Sequence, residues 1–170
     1  MPNITLRAAR PGDEGYFFAL RAELIGPMWQ IEYPNDDAIP VATQGRPGEF
    51  RPDQTRIALI GELPAGVLHV VPKARALTIQ WLLIESQHQG TGIGTHLVHL
   101  VQDEARAQGL NVQLEVLNCN ERAQRLYERL GFQPGVLLPH LVRMGWDHAD
   151  TPRAFPPIDL RGSTTDSPAS

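Results

Sequence analysis

The chain has 170 residues, of which 42% are hydrophobic, and carries a formal net charge of −4. This length allows one substantial core but is too short for two ordinary domains. The net negative charge and the scattered arginines argue against nucleic-acid binding, which needs a concentrated basic face, and no apolar run is long enough for a transmembrane helix.

The first half of the chain is predicted to contain one strand, one helix and three further strands. Alternating apolar residues predict a strand over Ile4–Ala8, and residues 11–14 open an amphipathic helix that Gly26 and Pro27 should stop. A long irregular stretch then runs to about residue 52. Further strands are predicted at residues 57–61, 67–71 and 76–84, separated by turns at residues 63–66 and 72–75.

A glycine-rich turn follows the last of these strands, with the sequence Gln89-Gly90-Thr91-Gly92-Ile93-Gly94-Thr95. Apolar residues recur at three- and four-residue spacing from Ile93 onward, so the turn leads into an amphipathic helix. The N–H groups and the dipole at that helix start suit a phosphate group, although such glycines also occur in ordinary tight turns. The sequence lacks the lysine of a P-loop, and Gly94 comes too early for the dinucleotide spacing.

A second, shorter helix is predicted after a strand at residues 112–117. Asn120 is placed to cap this helix and Gly131 to end it. Asn120 and Tyr127 lie about two turns apart, so their side chains point to the same side. Tyr127 is either a functional phenol or a packing residue, the usual role of an aromatic residue on an apolar stripe. A hairpin over residues 132–146 completes a mixed sheet with helices on both faces.

Together these segments resemble the GNAT superfamily of N-acetyltransferases. The acetyl-CoA signature of that family, Gln/Arg-x-x-Gly-x-Gly/Ala, is matched by Gln89, Gly92 and Gly94. Its pattern Asn-x-x-Ala-x-x-Leu-Tyr-x-x-x-Gly-Phe is matched without a gap over residues 120–132. The resemblance covers roughly residues 4–147 in element order and is sharp over residues 79–132.

The resemblance implies the GNAT fold, an α/β (α+β) architecture with a mixed, mostly antiparallel central sheet of about six to seven strands. It places one N-acetyltransferase domain at residues 1–147. It also implies direct transfer of an acetyl group from acetyl-CoA to a primary amine of a small molecule or a peptide N-terminus. The alternative is a non-catalytic acyl-CoA-binding sensor or partner-binding module.

The resemblance also assigns residues to the cofactor and to the leaving group. Tyr127 matches the acid that protonates the departing thiolate, and backbone N–H groups at the end of the strand before the glycine turn are the expected oxyanion donors. The expected cofactor-binding residues are Leu83, Ile84, Gln89, Gly90, Thr91, Gly92, Ile93, Gly94, Thr95, Asn120 and Tyr127.

Two carboxylates are candidates for the general base. Glu115 faces opposite to Leu114 and Val116 on its strand, in a sheet predicted to be covered on both faces, where an unpaired carboxylate would be costly. This segment is similar to the branch that acetylates the N-terminal alanine of a ribosomal protein, where the matching Glu is the base, although Leu117 stands where an Arg is usual. In the alternative interpretation Glu115 is a rim carboxylate satisfied by an arginine. Glu85, beside the glycine turn, is the second candidate.

Acceptor choice is expected to depend on residues 26–52, because the family places its variable acceptor-binding segment there. Acidic and aromatic residues in it would attract a cationic amine by charge and cation–π contact: Trp29, Glu32, Tyr33, Asp36 and Asp37. The alternative interpretation is an acidic loop exposed to solvent.

The remaining features concern location, partners and metals. We expect a cytoplasmic protein because the N-terminus lacks the features of a signal peptide, and we expect no nucleic-acid or membrane partner. Cys119 is a single cysteine and the six histidines form no ligand pattern, so no disulfide and no metal is expected. A Pro- and Ser-rich tail at residues 148–170 is either disordered or docked on the body or a neighbouring subunit, and exposed strand edges favour a homodimer by analogy.

Overall fold

A computed structural model describes residues 3–35 and 45–149 of the chain. Within these ranges there are seven strands and three α-helices, with short 3-10 turns at Pro11–Asp13, Pro52–Gln54 and Ser86–His88. In chain order the elements are β1 (Ile4–Ala8), α1 (Glu14–Glu32), β2 (Thr55–Ile60), β3 (Leu63–Pro72), β4 (Ala76–Ile84), α2 (Ile93–Gln108), β5 (Asn111–Leu117), α3 (Glu121–Arg129), β6 (Gln133–Leu137) and β7 (Leu141–Trp146). The tail predicted at residues 148–170 lies, beyond Ala149, outside the described residues.

The seven strands form one sheet in the order β1-β2-β3-β4-β5-β7-β6. Only β4 and β5 pair in parallel, and the other neighbours in this sheet are antiparallel. Parallel neighbours need a crossover connection, and α2 supplies it. The predicted mixed, mostly antiparallel sheet is confirmed.

Helices cover the two faces of this sheet. On one face Phe17 of α1 packs with Ile57, Val67 and Leu83, which come from β2, β3 and β4. On the opposite face α2 packs an apolar stripe against the strands, including the fully buried Leu97. The prediction of helices on both faces is therefore confirmed.

The predicted stop of the first helix at Gly26 and Pro27 is wrong, because α1 continues to Glu32. Pro27 has no N–H to donate to the carbonyl one turn earlier, which costs about 3 kcal/mol or more in an isolated helix. The helix continues because residues beyond the proline are held by tertiary contacts, such as Cys119 Sγ against the Met28 carbonyl at 3.6 Å. The predicted irregular stretch accordingly begins later.

The predicted turn at residues 63–66 is also wrong. The chain reverses earlier, at Gly61, whose φ of 62° lies in the left-handed region that favours glycine. Pro64 and Gly66 instead lie inside β3, where the register against β2 passes from Ala58–Gly66 to Leu59–Pro64. Proline is tolerated in a sheet at such a bulge, because no ladder hydrogen bond is needed from it there.

A second bulge positions the candidate site. The pairing of β3 with β4 passes from His69–Trp81 to Val70–Ile79, which leaves Gln80 as an extra residue in β4. The register of β4 with β5 runs from Ala76–Asn111 to Ile79–Leu114 and so ends at this bulge. Beyond the bulge the last residues of β4 and β5 therefore do not pair, and a gap lies between the ends of these two strands.

Candidate active site

A large cavity of about 580 Å³ lies between the end of β4, the glycine turn and the start of α3, with α1 on its remaining side. This volume is in the range of small-molecule binding sites. Eight of the residues predicted to bind the cofactor line it: Leu83, Ile84, Gln89, Gly90, Gly92, Gly94, Thr95 and Asn120.

The glycine turn is held in shape by its own side chains. Gln89 Nε2 donates to the Ile84 carbonyl at 2.9 Å, and Thr91 Oγ1 donates to the His88 carbonyl at 2.7 Å. Gly92, with a φ of 91°, is the cap residue of α2. Because glycine has no side chain, the cap residue does not compete for the N–H groups of the first helical turn, which can bind an anion.

Thr91 and Ile93 are two predicted cofactor-binding residues whose side chains serve the local structure. Thr91 is used in the turn, and Ile93 is 1% exposed and packs in the core. Within the described ranges neither lines the large cavity. Both stand at unspecified positions of the signature, and their assignment to the cofactor stays a prediction.

Arg122 lines the large cavity and was missed by the sequence analysis. Its Nη1 donates to Gln89 Oε1 at 3.0 Å, and a Cβ on Gly90 would lie 3.4 Å from its Nη2. Arg129, one further cation of the same helix, also lines this cavity. Their seven-residue spacing places both on one side of α3, which is the signal that could have indicated a basic wall.

A small cavity of about 210 Å³ adjoins the large one, since Ile25, Leu82, Asn120 and Ala123 line both. The other residues on its walls include two indoles, one phenol and one carboxylate: Trp29, Trp81, Tyr127 and Glu115. Trp81, which follows the Gln80 bulge, was not predicted. No sequence signal marks it, because the bulge becomes visible only in the pairing with β3.

Tyr127 lies in the core and also on the wall of the small cavity. It is 8% exposed, and its ring centroid is 5.6 Å from that of Phe132. Burial raises the pKa of the Tyr127 phenol to about 12. Asn120 Oδ1 accepts the Ala123 N–H at 3.2 Å, which confirms the predicted cap that orients this helix. Packing and lining a cavity are thus compatible roles for Tyr127.

Glu115 lies at the rim of the small cavity. Arg143 Nε donates to Glu115 Oε1 at 2.5 Å, and about half of each side chain is exposed. The sheet face is therefore open at Glu115, which corrects the expectation that both faces are covered there. This is the arrangement of the alternative interpretation, in which Glu115 is a rim carboxylate paired with an arginine. The assignment of Glu115 as the general base stays a prediction.

Glu85 is set apart from Tyr127. Its carboxylate accepts hydrogen bonds from the Tyr16 hydroxyl and from Gln87 Nε2, each at 2.9 Å. It lines a separate depression with Tyr16 and Glu23, and burial together with this carboxylate raises the pKa of Tyr16. Within the described ranges Glu85 therefore lines neither the large cavity nor the small one.

The predicted acceptor-binding aromatic residues lie at the end of α1. The Trp29 and Tyr33 rings stack at 4.5 Å, and Tyr33 lies 4.2 Å from the His140 ring. Trp29 lines the small cavity, and its buried Nε1 has no hydrogen-bond partner among the described residues. Asp36 and Asp37 lie outside the described residues.

Among residues 3–35 and 45–149 no group of three metal-ligating side chains is close enough to hold an ion. Over the same ranges no helix has the length and apolar character that a membrane span requires.

Comparison with known proteins identifies the family of the chain. The acetyltransferase (GNAT) family model matches residues 23–132. The chain is 33% identical over 152 residues to a streptothricin acetyltransferase from Streptomyces lavendulae, which covers 74% of this chain and 79% of that protein.

Two solved structures share the fold. The PaiA N-acetyltransferase of Thermoplasma acidophilum in complex with coenzyme A superposes with a TM-score of 0.67 at 13% identity, over 86% of this chain and 99% of that one. Arabidopsis thaliana Naa50 in complex with the bisubstrate analogue CoA-Ac-MVNAL gives a TM-score of 0.62 at 15% identity, over 85% and 99%.

The chain therefore belongs to the GNAT family of acetyltransferases. It is an N-acetyltransferase with acetyl-CoA as its co-substrate, and the fold implied by the glycine turn and the Asn120 helix is confirmed.

Proposed function

We propose that the protein acetylates a primary amine of a small cationic molecule or a peptide, by direct attack within a ternary complex. The observation that carries this proposal is the junction of the two cavities, where Leu82, Asn120 and Ala123 line both. A thioester in the large cavity and an amine in the small one would meet there, so no covalent carrier on the protein is needed.

The large cavity suits coenzyme A by its shape and donors. Acetyl-CoA supplies the thioester carbonyl that is attacked. The N–H groups at the start of α2 and the guanidinium of Arg122 would bind its phosphates, because both are strong donors to anions. Backbone N–H groups at the end of β4 would donate to the carbonyl oxygen as it gains charge.

Tyr127 is the proposed acid. A phenol buried in the protein remains protonated over the working range of pH, since burial disfavours the phenolate. It is therefore present as the proton donor to the sulfur that leaves, although the raised pKa makes it a weaker acid than an exposed phenol.

Glu115 is the proposed base. Its carboxylate lies at the rim of the small cavity and would accept a proton from the incoming ammonium group, directly or through water. Glu85 remains the second candidate, and its contacts with Tyr16 and Gln87 make it the less accessible one.

Cys119 supports direct attack over an acyl-cysteine route. Burial and the neighbouring Glu32 raise the pKa of the Cys119 thiol, and Sγ contacts the Met28 carbonyl at 3.6 Å. A thiol with a raised pKa is a poor nucleophile, because the thiolate is the reactive form.

The proposed acceptor is cationic because the small cavity combines indole rings with a carboxylate, which attract ammonium groups. Asp36 and Asp37 would add to this attraction. The streptothricin acetyltransferase relative makes streptothricin the first compound to test. We further propose that residues 1–147 form the catalytic domain, that the protein is cytoplasmic, and that it forms a homodimer.

The test begins with calorimetric titration of acetyl-CoA, followed by release of free thiol against an amine panel. The panel contains streptothricin, a polyamine, an aminoglycoside, a basic peptide and, as control, a primary amine that is uncharged at neutral pH, such as an aromatic amine. Thiol release with one cationic class would establish the function. Binding without release would favour the sensor alternative, and release with the neutral amine alone would contradict the proposed substrate class.

A further inference from the structure

Arg21 is a buried charge on α1, on the side of the helix that faces the sheet. It is 1% exposed, and its guanidinium carbon lies 5.3, 4.9 and 5.1 Å from the ring centroids of Phe17, Phe18 and Trp81. Its Nε is buried and has no hydrogen-bond partner among the described residues. Burying a charge in such surroundings costs free energy unless an opposite charge pairs with it.

The partner is Glu49, which precedes β2 by six positions. The two Nη atoms of Arg21 donate to the two carboxylate oxygens, the longer contact being 3.5 Å, and Glu49 Oε2 also accepts the Arg46 N–H at 2.8 Å. Burial alone would raise the pKa of Glu49, but its hydrogen bonds with Arg21 and the Arg46 N–H outweigh this and hold the pKa below its ordinary value. The pair is therefore charged at neutral pH.

The segment containing Glu49 is fixed on α1 at two further points. Gly45, with a φ of 82°, lies so close to the Phe18 ring that an added Cβ would be 2.0 Å from it. Phe50 packs on Phe17 with ring centroids 5.5 Å apart. The segment that carries Glu49 is thus anchored on α1, and through Glu49 it holds the Arg21 guanidinium in place.

Trp81 connects this arrangement to the candidate acceptor site. Its indole contacts the Arg21 guanidinium and also lines the small cavity beside Tyr127. Trp81 directly follows the Gln80 bulge, where β4 no longer pairs with β5. The backbone there pairs with β3 at His69 but no longer with β5, so the orientation of this ring also depends on its side-chain contacts.

We propose that Arg21, held by Glu49, is a positioning residue that fixes the Trp81 indole as a wall of the acceptor cavity and thereby sets the affinity for the amine. The inference rests on the proposed function, since it takes the small cavity as the acceptor site. Stability alone does not explain the buried pair, because apolar residues of similar volume often stabilise a core as well or better.

The test compares Glu49→Gln with Glu104→Gln. Glu104 also forms an ion pair with an arginine of another element, Arg56 of β2, but on the opposite side of the sheet. In Glu49→Gln we expect the KM for the acceptor to rise about fivefold while the KM for acetyl-CoA changes less than about twofold. Glu104→Gln should change neither constant.

A spectroscopic measurement reports on the ring itself. In the Trp29→Phe/Trp146→Phe background Trp81 is the remaining tryptophan. Adding Glu49→Gln should shift its emission to longer wavelength and increase quenching by acrylamide, while Glu104→Gln should do neither. This measurement requires no acceptor, so it decides the positioning of Trp81 even where no amine of the panel is acetylated.

Three results would overturn the inference. They are an unchanged acceptor KM in Glu49→Gln, an equal rise of both KM values, or Trp81 emission that is the same with and without Glu49. Absence of thiol release by the wild-type protein with every amine of the panel would instead contradict the proposed function.

Discussion

The Tyr127 phenol is the residue whose environment bears most directly on the reaction. Burial raises its pKa from the ordinary value to about 12, so the protonated form persists as pH rises through the range where an exposed tyrosine begins to ionise. An acid must be protonated to act. Loss of activity from ionisation of Tyr127 should therefore begin only as pH approaches about 12.

Replacing Tyr127 with Phe removes the proton donor and keeps the ring. We expect kcat to fall by about 10²- to 10⁴-fold, the usual contribution of a general acid, with little change in the free energy of unfolding. The measurement is thiol release from pH 6 to 10, where the wild-type profile should rise to a plateau without a falling limb. A wild-type limb that falls below pH 10 would contradict the role of a buried phenol.

Glu115→Gln tests the base. We expect a lower kcat/KM, because glutamine accepts no proton. Arg143→Gln is the matched control, since it breaks the same ion pair but leaves the carboxylate. If Glu115→Gln kept the wild-type pH–rate profile, the assignment of Glu115 would be wrong.

Arg122→Gln tests the basic wall of the large cavity. Losing a charge-assisted hydrogen bond to phosphate should raise the KM for acetyl-CoA about tenfold, with the acceptor KM unchanged. Arg125→Gln is the control, because Arg125 is exposed on the same helix and pairs with Glu121. Equal effects of the two substitutions would show that general charge, and not position, is responsible.

Single residues were predictable where they belong to a local pattern. Asn120 and Tyr127 follow from helix spacing and capping, which a sequence displays directly. Arg122 and Trp81 acquire their places only when α3 and β4 meet at the glycine turn and the bulge. The pairing of Arg21 with Glu49 joins positions 28 residues apart, and no local pattern connects them.

Among the elements, several strands were predicted best. β1 and β4 have the predicted bounds, and the β6–β7 hairpin lies within the predicted residues 132–146. The errors at Pro27 and at residues 63–66 share one cause: proline and glycine were treated as breaks. Tertiary packing and a bulge accommodate them instead, which is the usual way that context overrides local preference.

Gly66 of β3 shows how closely β3 and β4 approach each other. A Cβ at this position would lie 2.5 Å from the Leu83 carbonyl oxygen and 2.9 Å from Ile84 Cδ1. We expect Gly66→Ala to lower the free energy of unfolding by about 1–3 kcal/mol, the cost of overpacking a well-packed site. Urea denaturation measures this.

Gly15→Ala is the control for Gly66→Ala. Gly15 lies in α1, and an added Cβ would meet nothing within 4 Å. This substitution should leave the stability unchanged or raise it by up to about 1 kcal/mol. Equal destabilisation by the two substitutions would contradict the close approach at Gly66.

For the whole molecule, the β4–β5 pair is the join between two halves of the sheet. Its register spans only the segments Ala76–Ile79 and Asn111–Leu114. Beyond it the large cavity separates the glycine turn from α3, with a hydrogen bond between Gln89 and Arg122 across it. A ligand in this cavity would contact both halves.

Acetyl-CoA should therefore stabilise the folded protein. At a concentration about 100-fold above Kd, binding to the folded state adds about 2.7 kcal/mol, which corresponds to a rise in Tm of roughly 5–10 °C for a chain of this size. Differential scanning fluorimetry measures it, with acetate at the same concentration as control. An unchanged Tm at this concentration would contradict binding of acetyl-CoA to the folded protein.

The short join between β4 and β5 also bears on the lifetime of the protein. Proteases cleave chains that open transiently, and the open population falls when a ligand holds the closed form. We therefore expect the protein to be degraded more slowly when coenzyme A or acetyl-CoA occupies the cavity, and fastest when neither is available.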